Sequence, residues 1–184
     1  ALAVPGLHNA RNATAAILAA IELGMPAQDA ARAASTFLGA ARRFQIRGTV
    51  GGVTVVDDYA HHPTEIGALL DAARRRYPDA TIHVLFQPHL FSRTRFFAPQ
   101  FAQALAKADD VIVTGVFPAR ERQEDFPGVD AHTIADAAAE GATPIDVVED
   151  MATAAQMVAM RANPGDVIFT VGAGDITTMG PVIV

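Results

Sequence analysis

The sequence predicts an α/β fold in which a mostly parallel sheet carries helices on both faces. Three observations lead to this prediction. Short runs rich in β-branched residues alternate with helical stretches after residue 44, as in βαβ units. Gly51 and Gly52 separate the first two of these runs, which is typical of a β-hairpin. Hydrophobic residues make up 51% and charged residues 18% of the chain, as in packed globular proteins.

A short helical segment precedes the predicted sheet. Residues 8–23 carry apolar side chains at helical spacing and are followed by Gly24, a helix-stop signal. Pro26 suits the first turn of a second helix over residues 26–38. The pattern changes at "GAARR", and we therefore expect a boundary between a helical unit, 1–40, and an α/β domain, 41–184.

The α/β part begins with the predicted N-terminal hairpin and continues with alternating elements. The hairpin strands are "FQIRGTV" and "VTVVDDY", and the later strands are "TIHVLFQP", "DVIVTGVF", "PIDVV" and "DVIFTVG". Helical stretches separate them at about 63–76, 95–107, 132–140 and 150–161. This alternation favours parallel pairing, with both faces of the sheet covered.

Composition and charge limit the classes of function. The net charge of −6 argues against a nucleic-acid partner, which a basic excess would indicate. The absence of cysteine excludes disulfides and thiolate zinc sites and is compatible with a cytoplasmic location. No apolar run approaches the ~20 residues that span a bilayer, and the first residues do not resemble a secretory signal.

Unusual polar residues follow four of the predicted strands. These clusters are "DDYAHH", "QPHLFSRTR", "FPARER" and "GAGD". Open α/β sheets bind ligands in the crevice outside the carboxyl ends of their strands. The four clusters therefore predict a ligand site at one edge of the sheet.

The stretch "DDYAHHP" admits three interpretations. It could be a polar loop before a helix that begins at Pro63 and carries Glu65 in its first turn. Carboxylate and imidazole groups also ligate metals, but dedicated sites gather ligands from separated positions, and we predict no metal site here. In the third interpretation, an aspartate accepts from sugar hydroxyls while tyrosine or histidine donates to a carboxylate.

Arginines and asparagines supply further candidate contacts. Arg93 could capture a carboxylate or phosphate through its planar guanidinium, or Ser92 could simply cap a helix with solvated arginines. Arg43 lies at the junction of the two units and could reach a phosphate or belong to a surface pair. Asn9 and Asn12 could read an adenine edge, although an asparagine at a helix start is often only a cap.

These motifs together resemble one family. "GLHNARNATAA", "GAARRFQIRG", "VVDDYAHHPTEI", "FQPHLFSRTR" and "GAGDI" are similar to the C-terminal part of the Mur ligases, ATP-dependent ligases of peptidoglycan synthesis. The resemblance implies a Rossmann-like C-terminal domain over 41–184, preceded by the last helices of a central ATP-binding domain. It also explains why the chain has no G-x-x-x-x-G-K-[ST] phosphate loop. We accordingly expect the chain to be a piece of a longer ligase that is inactive alone.

The resemblance implies a reaction and its participants. The reaction joins L-alanine to UDP-N-acetylmuramate with ATP, through an acyl phosphate. The expected cofactors are ATP and Mg²⁺, with the magnesium ligands in the central domain. The expected partners are the three substrates and the rest of the ligase chain, without nucleic acid or membrane.

The resemblance also implies roles for individual residues. Nucleotide contacts fall on Asn9, Asn12, Arg43 and Asp57, with Arg43 near the γ-phosphate as the catalytic arginine and Asp57 on the ribose. Amino-acid contacts fall on Tyr59, His61 and Arg93, with His62, His89, Arg95 and Arg120 less firmly implied. Leu90 stands where many relatives have arginine, so Arg93 must hold the carboxylate alone or with Arg95 or Arg120.

Three alternatives remain at this point. A ligase that recycles a murein tripeptide shares a related "DDxAHHPT" segment. A non-catalytic nucleotide-binding module would also use this sheet edge. A nicotinamide oxidoreductase is disfavoured, because no G-x-G-x-x-G follows the first strand.

Overall fold

The computed structural model describes residues 2–4, 6–37, 39–139 and 141–184. Its strands are β1 (Gln45–Val50), β2 (Val53–Asp58), β3 (Ile82–Phe86), β4 (Asp110–Val113), β5 (Ile145–Val147) and β6 (Val167–Val171). Its helices are α1 (Leu7–Glu22), α2 (Ala27–Ser35), α3 (Pro63–Arg76), α4 (Phe91–Leu105), α5 (His132–Ala135), α6 (Met151–Arg161) and α7 (Gly180–Ile183). Short 3-10 helices cover Gln123–Asp125 and Asp175–Met179.

The strands form a mostly parallel sheet, as predicted. Their order is β1-β2-β6-β3-β4-β5; only β1 runs antiparallel to its neighbour. Gly51 and Gly52 have φ angles of 56° and 83°, which is the left-handed backbone that a tight hairpin turn requires. The fold class and the hairpin are therefore confirmed.

Helices cover both faces of the sheet because its central strands are apolar on both sides. On one face, Val56, Phe86 and Phe169 pack in the core beneath α3 and α4. On the other face, Val55 and Ile168 pack with residues of α6. Successive strand residues point to opposite faces, so neighbours in the sequence enter different cores.

Helix α3 begins where the sequence predicted, at Pro63. The His62 imidazole accepts a hydrogen bond from the Thr64 amide, and the Glu65 carboxylate accepts one from the His62 amide. This capping box fixes the residue at which the strand–helix connection ends.

Helix α4 begins at Phe91, four residues earlier than the predicted start. Leu90 occupies the N-cap position with a left-handed φ of 72°, so Ser92 lies inside the first turn and is not the cap. Farther along, Pro99 removes a backbone donor, and the helix is kinked at Phe97, whose φ is −110°.

The remaining helices agree with the prediction in position more than in length. Because α1 starts at Leu7, Asn9 lies within the helix and does not cap it. Helix α5 is a single turn. The predicted ends at Leu38 and Glu140 lie outside the described residues. Within the described ranges, no helix is both long and apolar enough to cross a membrane.

Candidate functional site

The carboxyl ends of four neighbouring parallel strands place the predicted polar clusters at one edge of the sheet. Gln87, directly after β3, donates through Nε2 to Asp175 after β6 at 2.7 Å. The Gln87 amide oxygen accepts from the Ile176 backbone at 3.1 Å. A Cβ atom at Gly174 would overlap Gln87 and Phe117, so only glycine fits this contact. The "GAGD" turn is thus packed directly against the "QPH" segment.

The segment from Asp58 to His61 alternates between two sides of this edge. Asp58 and Ala60 line a cavity of about 700 Å³ that also reaches α1 and α3. Tyr59 and His61 are not among its lining residues and contact each other ring to ring, with centroids 5.2 Å apart, while His61 Nδ1 also lies 3.5 Å from the Glu65 carboxylate on the cavity wall. The segment therefore borders two candidate binding regions, which we call the cavity and the basic cluster.

The cavity brings together the predicted nucleotide contacts from α1 and from the segment that precedes β1. Asn9, Asn12 and Arg43 all line it. Arg43 also lies 3.9 Å from the Glu65 carboxylate, and its guanidinium sits 5.7 Å from the centre of the Tyr59 ring. Amides, a guanidinium and carboxylates around an otherwise apolar space suit a ligand with both a flat apolar part and polar groups.

Asp57 does not line this cavity, although the resemblance assigned it to the ribose. Its side chain is fully buried and accepts hydrogen bonds from Thr170 and Thr177, each at 2.8 Å. Arg42 adds an ion pair at 3.3 Å. Both carboxylate oxygens of Asp57 are therefore occupied by partners inside the protein, and this conformation does not favour a ligand contact by Asp57.

Asp58 is the aspartate that faces the cavity. Its oxygens accept from the backbone amides of Phe44 at 2.7 Å and Ala60 at 2.8 Å. Strand alternation provides a signal for this assignment, because Val56 and Asp58 share the face that α3 covers. The resemblance assigned the ligand contact to Asp57 rather than to Asp58, and Glu65 was interpreted only as a helix-start signal, although both Asp58 and Glu65 line the cavity.

The basic cluster consists of His61, His89 and Arg93. The rings of His61 and His89 lie 5.9 Å apart, and Arg93 reaches the His61 carbonyl oxygen at 3.5 Å. His61 is held by its own contacts, since Nδ1 lies 2.9 Å from the Tyr59 carbonyl oxygen. Two loops and the start of α4 thus place two imidazoles and a guanidinium together.

His89 is the member of this cluster whose pKa is shifted by its surroundings. Burial, followed by the nearby charges of Arg93, His61 and Arg120, lowers the pKa of His89 below its ordinary value. The Nδ1 atom of His89 is buried and has no hydrogen-bond partner among the described residues. A neutral imidazole with an unused polar atom, set among cations, suits a polar anionic ligand.

The other implied residues lie in different surroundings. His62 caps α3 and packs against Phe97 at 4.8 Å between ring centres, which gives it a structural role. Arg95 is exposed and lies over the Phe126 ring at 5.9 Å. Arg120 is exposed, and its positive charge helps to lower the pKa of His89. No group of three or more histidine and acidic residues among the described positions is arranged to hold a metal ion.

Known proteins share extensive sequence similarity with this chain. Residues 42–174 match the family model described as "Mur ligase, glutamate ligase domain". The UDP-N-acetylmuramate–L-alanine ligase of Bifidobacterium longum subsp. infantis is 71% identical over 188 residues, which cover 100% of this chain and 37% of that protein. The corresponding ligase of Paenarthrobacter aurescens is 52% identical and covers 100% of the chain and 39% of that protein.

Solved structures give the same result. The crystal structure of the UDP-N-acetylmuramate–alanine ligase MurC from Thermotoga maritima matches with a TM-score of 0.79 and 32% identity, covering 99% of this chain and 38% of that one. A murein peptide ligase from Psychrobacter arcticus matches with a TM-score of 0.74 and 27% identity, covering 97% and 36%. The chain thus spans well under half the length of these relatives.

Proposed function

The chain belongs to the Mur ligase family, and on this premise we propose that it forms part of the ATP and amino-acid sites of a UDP-N-acetylmuramate–L-alanine ligase. The 71% identity to the Bifidobacterium enzyme supports this branch of the family. In the proposed reaction, ATP phosphorylates the muramyl carboxylate, the alanine amine attacks the acyl phosphate, and phosphate leaves as the amide forms.

The observation that carries the proposal is the alternation of residues 58–61 between the cavity and the basic cluster. Asp58 faces the cavity with Asn9 and Asn12, where we place the nucleoside of ATP. His61 belongs to the basic cluster and Tyr59 packs against it, and we place the alanine carboxylate there. One short segment can thereby hold two substrates at a fixed separation, which is the main requirement for a ligation.

The residues of the chain have separate tasks in this proposal. Arg43, on the cavity wall, stabilises negative charge on the terminal phosphate. Arg93 binds the alanine carboxylate, and the lowered pKa of His89 keeps that imidazole neutral and able to hydrogen bond. Mg²⁺ supplies charge neutralisation at the phosphates when bound. The described residues do not form a site for it, so we place its ligands in the rest of the ligase chain.

A competing function is the ligation of a murein tripeptide to the same UDP-sugar. The similarity to the Psychrobacter ligase supports it, although at lower identity than the alanine ligases. The test offers alanine or tripeptide to the full-length enzyme with ATP and UDP-N-acetylmuramate. We expect a higher kcat/KM for alanine, and faster turnover of the tripeptide would reverse the assignment.

The isolated chain should behave differently from the full-length enzyme. We propose that it binds ATP weakly and forms no amide, because it has no phosphate loop in its sequence. Isothermal titration with ATP and an assay for phosphate release test this directly, and measurable turnover by the isolated chain would contradict it. The cytoplasmic location remains a prediction.

A further inference from the structure

Glu121 makes an unusual contact with the start of helix α4. Its Oε2 accepts a hydrogen bond from the Ser92 amide at 2.9 Å, and its Oε1 accepts one from the Ser92 hydroxyl at 2.5 Å. Although burial alone would raise the pKa of Glu121, hydrogen bonds from Ser92 and from the Phe91 amide lower it below its ordinary value. Glu121 is therefore ionised at neutral pH, and its carboxylate occupies the N-terminal end of α4.

The N-cap residue of α4 cannot accept a hydrogen bond from the first amides of the helix through its side chain. Leu90 stands at the N-cap position with a left-handed φ of 72°, and its side chain has no hydrogen-bond acceptor. The first amides of the helix would be left without partners unless another segment supplied them. Glu121, 29 residues away in the sequence, supplies an acceptor from the loop after β4.

That loop is shaped to deliver the carboxylate. Ala119 has a left-handed φ of 52°, and the Glu121 amide donates to the Pro118 carbonyl at 2.9 Å to close a tight turn. The loop is also joined to the segment before α4 by two backbone hydrogen bonds. These run from the Leu90 amide to the Phe117 carbonyl at 2.9 Å and from the Phe117 amide to the Pro88 carbonyl at 2.8 Å.

The consequence falls on Arg93, which directly follows Ser92. Among the described residues, the Arg93 guanidinium makes one hydrogen bond, a long one of 3.5 Å to the His61 carbonyl oxygen. Its position is therefore set mainly by the backbone of the first turn, which Glu121 holds. We propose that Glu121 is a positioning residue that fixes the first turn of α4 and thereby places the guanidinium of Arg93 for the amino-acid carboxylate. The effect that we expect on the alanine KM rests on the proposed function.

The chain contains a matched control for this contact. Asp150 accepts from the Thr153 amide at 2.8 Å and from the Thr153 hydroxyl at 2.6 Å, at the start of α6. The pattern of one hydroxyl and one amide is the same, but no arginine lies in the first turn of α6. Asp150→Ala therefore removes an equivalent cap without displacing a residue of the basic cluster.

The first measurement is amide hydrogen exchange of the full-length ligase, which needs no substrate. Glu121→Ala should speed exchange at residues 91–95 by about 10-fold, and Asp150→Ala should do so only at the start of α6. Unchanged exchange at 91–95 in Glu121→Ala would overturn the inference, whatever the enzyme's substrate proves to be.

The second measurement separates KM from kcat in the same variants. Glu121→Ala should raise the alanine KM by about 10-fold while the ATP KM changes less than about twofold. Glu121→Gln keeps one acceptor oxygen and should recover part of this loss, and Asp150→Ala should leave the alanine KM unchanged. An equal rise in the alanine KM in Glu121→Ala and Asp150→Ala would show that Glu121 contributes only to general stability, and it would contradict the inference. Wild-type enzyme that does not use alanine would instead refute the proposed function, and the tripeptide KM would then provide the comparison.

Discussion

His83 and His89 lie toward opposite ends of strand β3 and occupy opposite electrostatic surroundings. His83 is buried, with Nδ1 at 2.9 Å from an Asp110 oxygen and Nε2 at 3.2 Å from an Asp166 oxygen. His89 lies among Arg93, Arg120 and His61, and its buried Nδ1 has no partner among the described residues. One imidazole is enclosed by acids on both sides, and the other lies mainly among bases, with Glu121 as the opposing acid.

The acids around His83 are themselves fully engaged. Asp110 also pairs with Arg161 at 2.7 Å, and Arg161 reaches Asp146 at 2.6 Å. Asp166 accepts from the amides of Asn163 and Thr81 as well. These contacts join the amino-terminal ends of β3, β4, β5 and β6. A titratable residue whose partners are complete indicates structure, whereas one with an unused atom among like charges indicates a ligand.

The largest effect should follow from breaking the network at the amino-terminal edge. Asp166→Ala removes a carboxylate from His83 and leaves two backbone amides without their acceptor. We expect the free energy of unfolding to fall by about 3 kcal/mol, because the remaining buried polar groups lose their partners. Urea unfolding of the full-length ligase measures this, with the alanine KM of the folded enzyme expected to stay unchanged. A loss below about 1 kcal/mol would contradict the structural role of this edge.

A smaller effect, on binding and not on stability, should follow from Arg93→Ala at the opposite edge. We expect the alanine KM to rise by about 10-fold, equivalent to about 1.4 kcal/mol, because a charged hydrogen-bond donor to the carboxylate is lost. Steady-state kinetics of the full-length enzyme measure it. Arg95→Ala is the control, since Arg95 is exposed and stacks on Phe126 away from the cluster. Equal KM values for wild type and Arg93→Ala would remove Arg93 from the amino-acid site.

The neighbouring aspartates of β2, Asp57 and Asp58, are expected to differ in role at the carboxyl-terminal edge of the sheet. Asp58→Asn should raise the ATP KM by about 3- to 5-fold, because an amide oxygen is a weaker hydrogen-bond acceptor than a carboxylate for a hydroxyl of the nucleoside that we place in the cavity. Asp57→Asn should mainly lower stability, since Asp57 pairs with Arg42 inside the domain. Parallel ATP kinetics and thermal unfolding of the two variants distinguish these roles. The reverse result would restore the ribose contact to Asp57.

The smallest effect concerns the pH dependence of stability at His89. The pKa of His89 is lowered in the folded chain, so on acidification the unfolded chain takes up this proton first. The contribution of the neutral imidazole to stability is therefore present at neutral pH and declines as the pH falls through the ordinary histidine range. His89→Gln should flatten the stability curve between about pH 7.5 and about pH 5.5. Urea unfolding across this pH range measures the effect. An unchanged slope of stability against pH in the variant would contradict the prediction.

Much of the fold was predictable because its signals are local. The Gly51–Gly52 turn, the apolar strand runs and the start of α3 at Pro63 each depend on a few neighbouring residues. The start of α4 was predicted wrongly because its cap comes from Glu121, which no local pattern connects to Ser92. The strand order, which inserts β6 between β2 and β3, likewise depends on contacts distant in sequence.

The candidate site was predictable in place but less so in detail. The polar clusters after four strands do lie at one edge of the sheet, and Asn9, Asn12 and Arg43 line one cavity, whereas their binding roles stay predictions. The choice between Asp57 and Asp58 required knowing which face of β2 lies beneath α3. The alternation of Val55 and Val56 between the two cores contains that information, but only once the helices are placed on the sheet.

The alternation of residues 58–61 also determines which sequence changes this region tolerates. Replacing one side chain there alters one contact, but deleting a single residue such as Ala60 would shorten the link between the end of β2 and the capping box of α3 and would move His61 relative to both. Substitutions in this segment should therefore give graded losses, whereas insertions and deletions should disturb the cavity and the basic cluster together. Segment length is accordingly as restricted as chemical identity between Asp58 and Pro63.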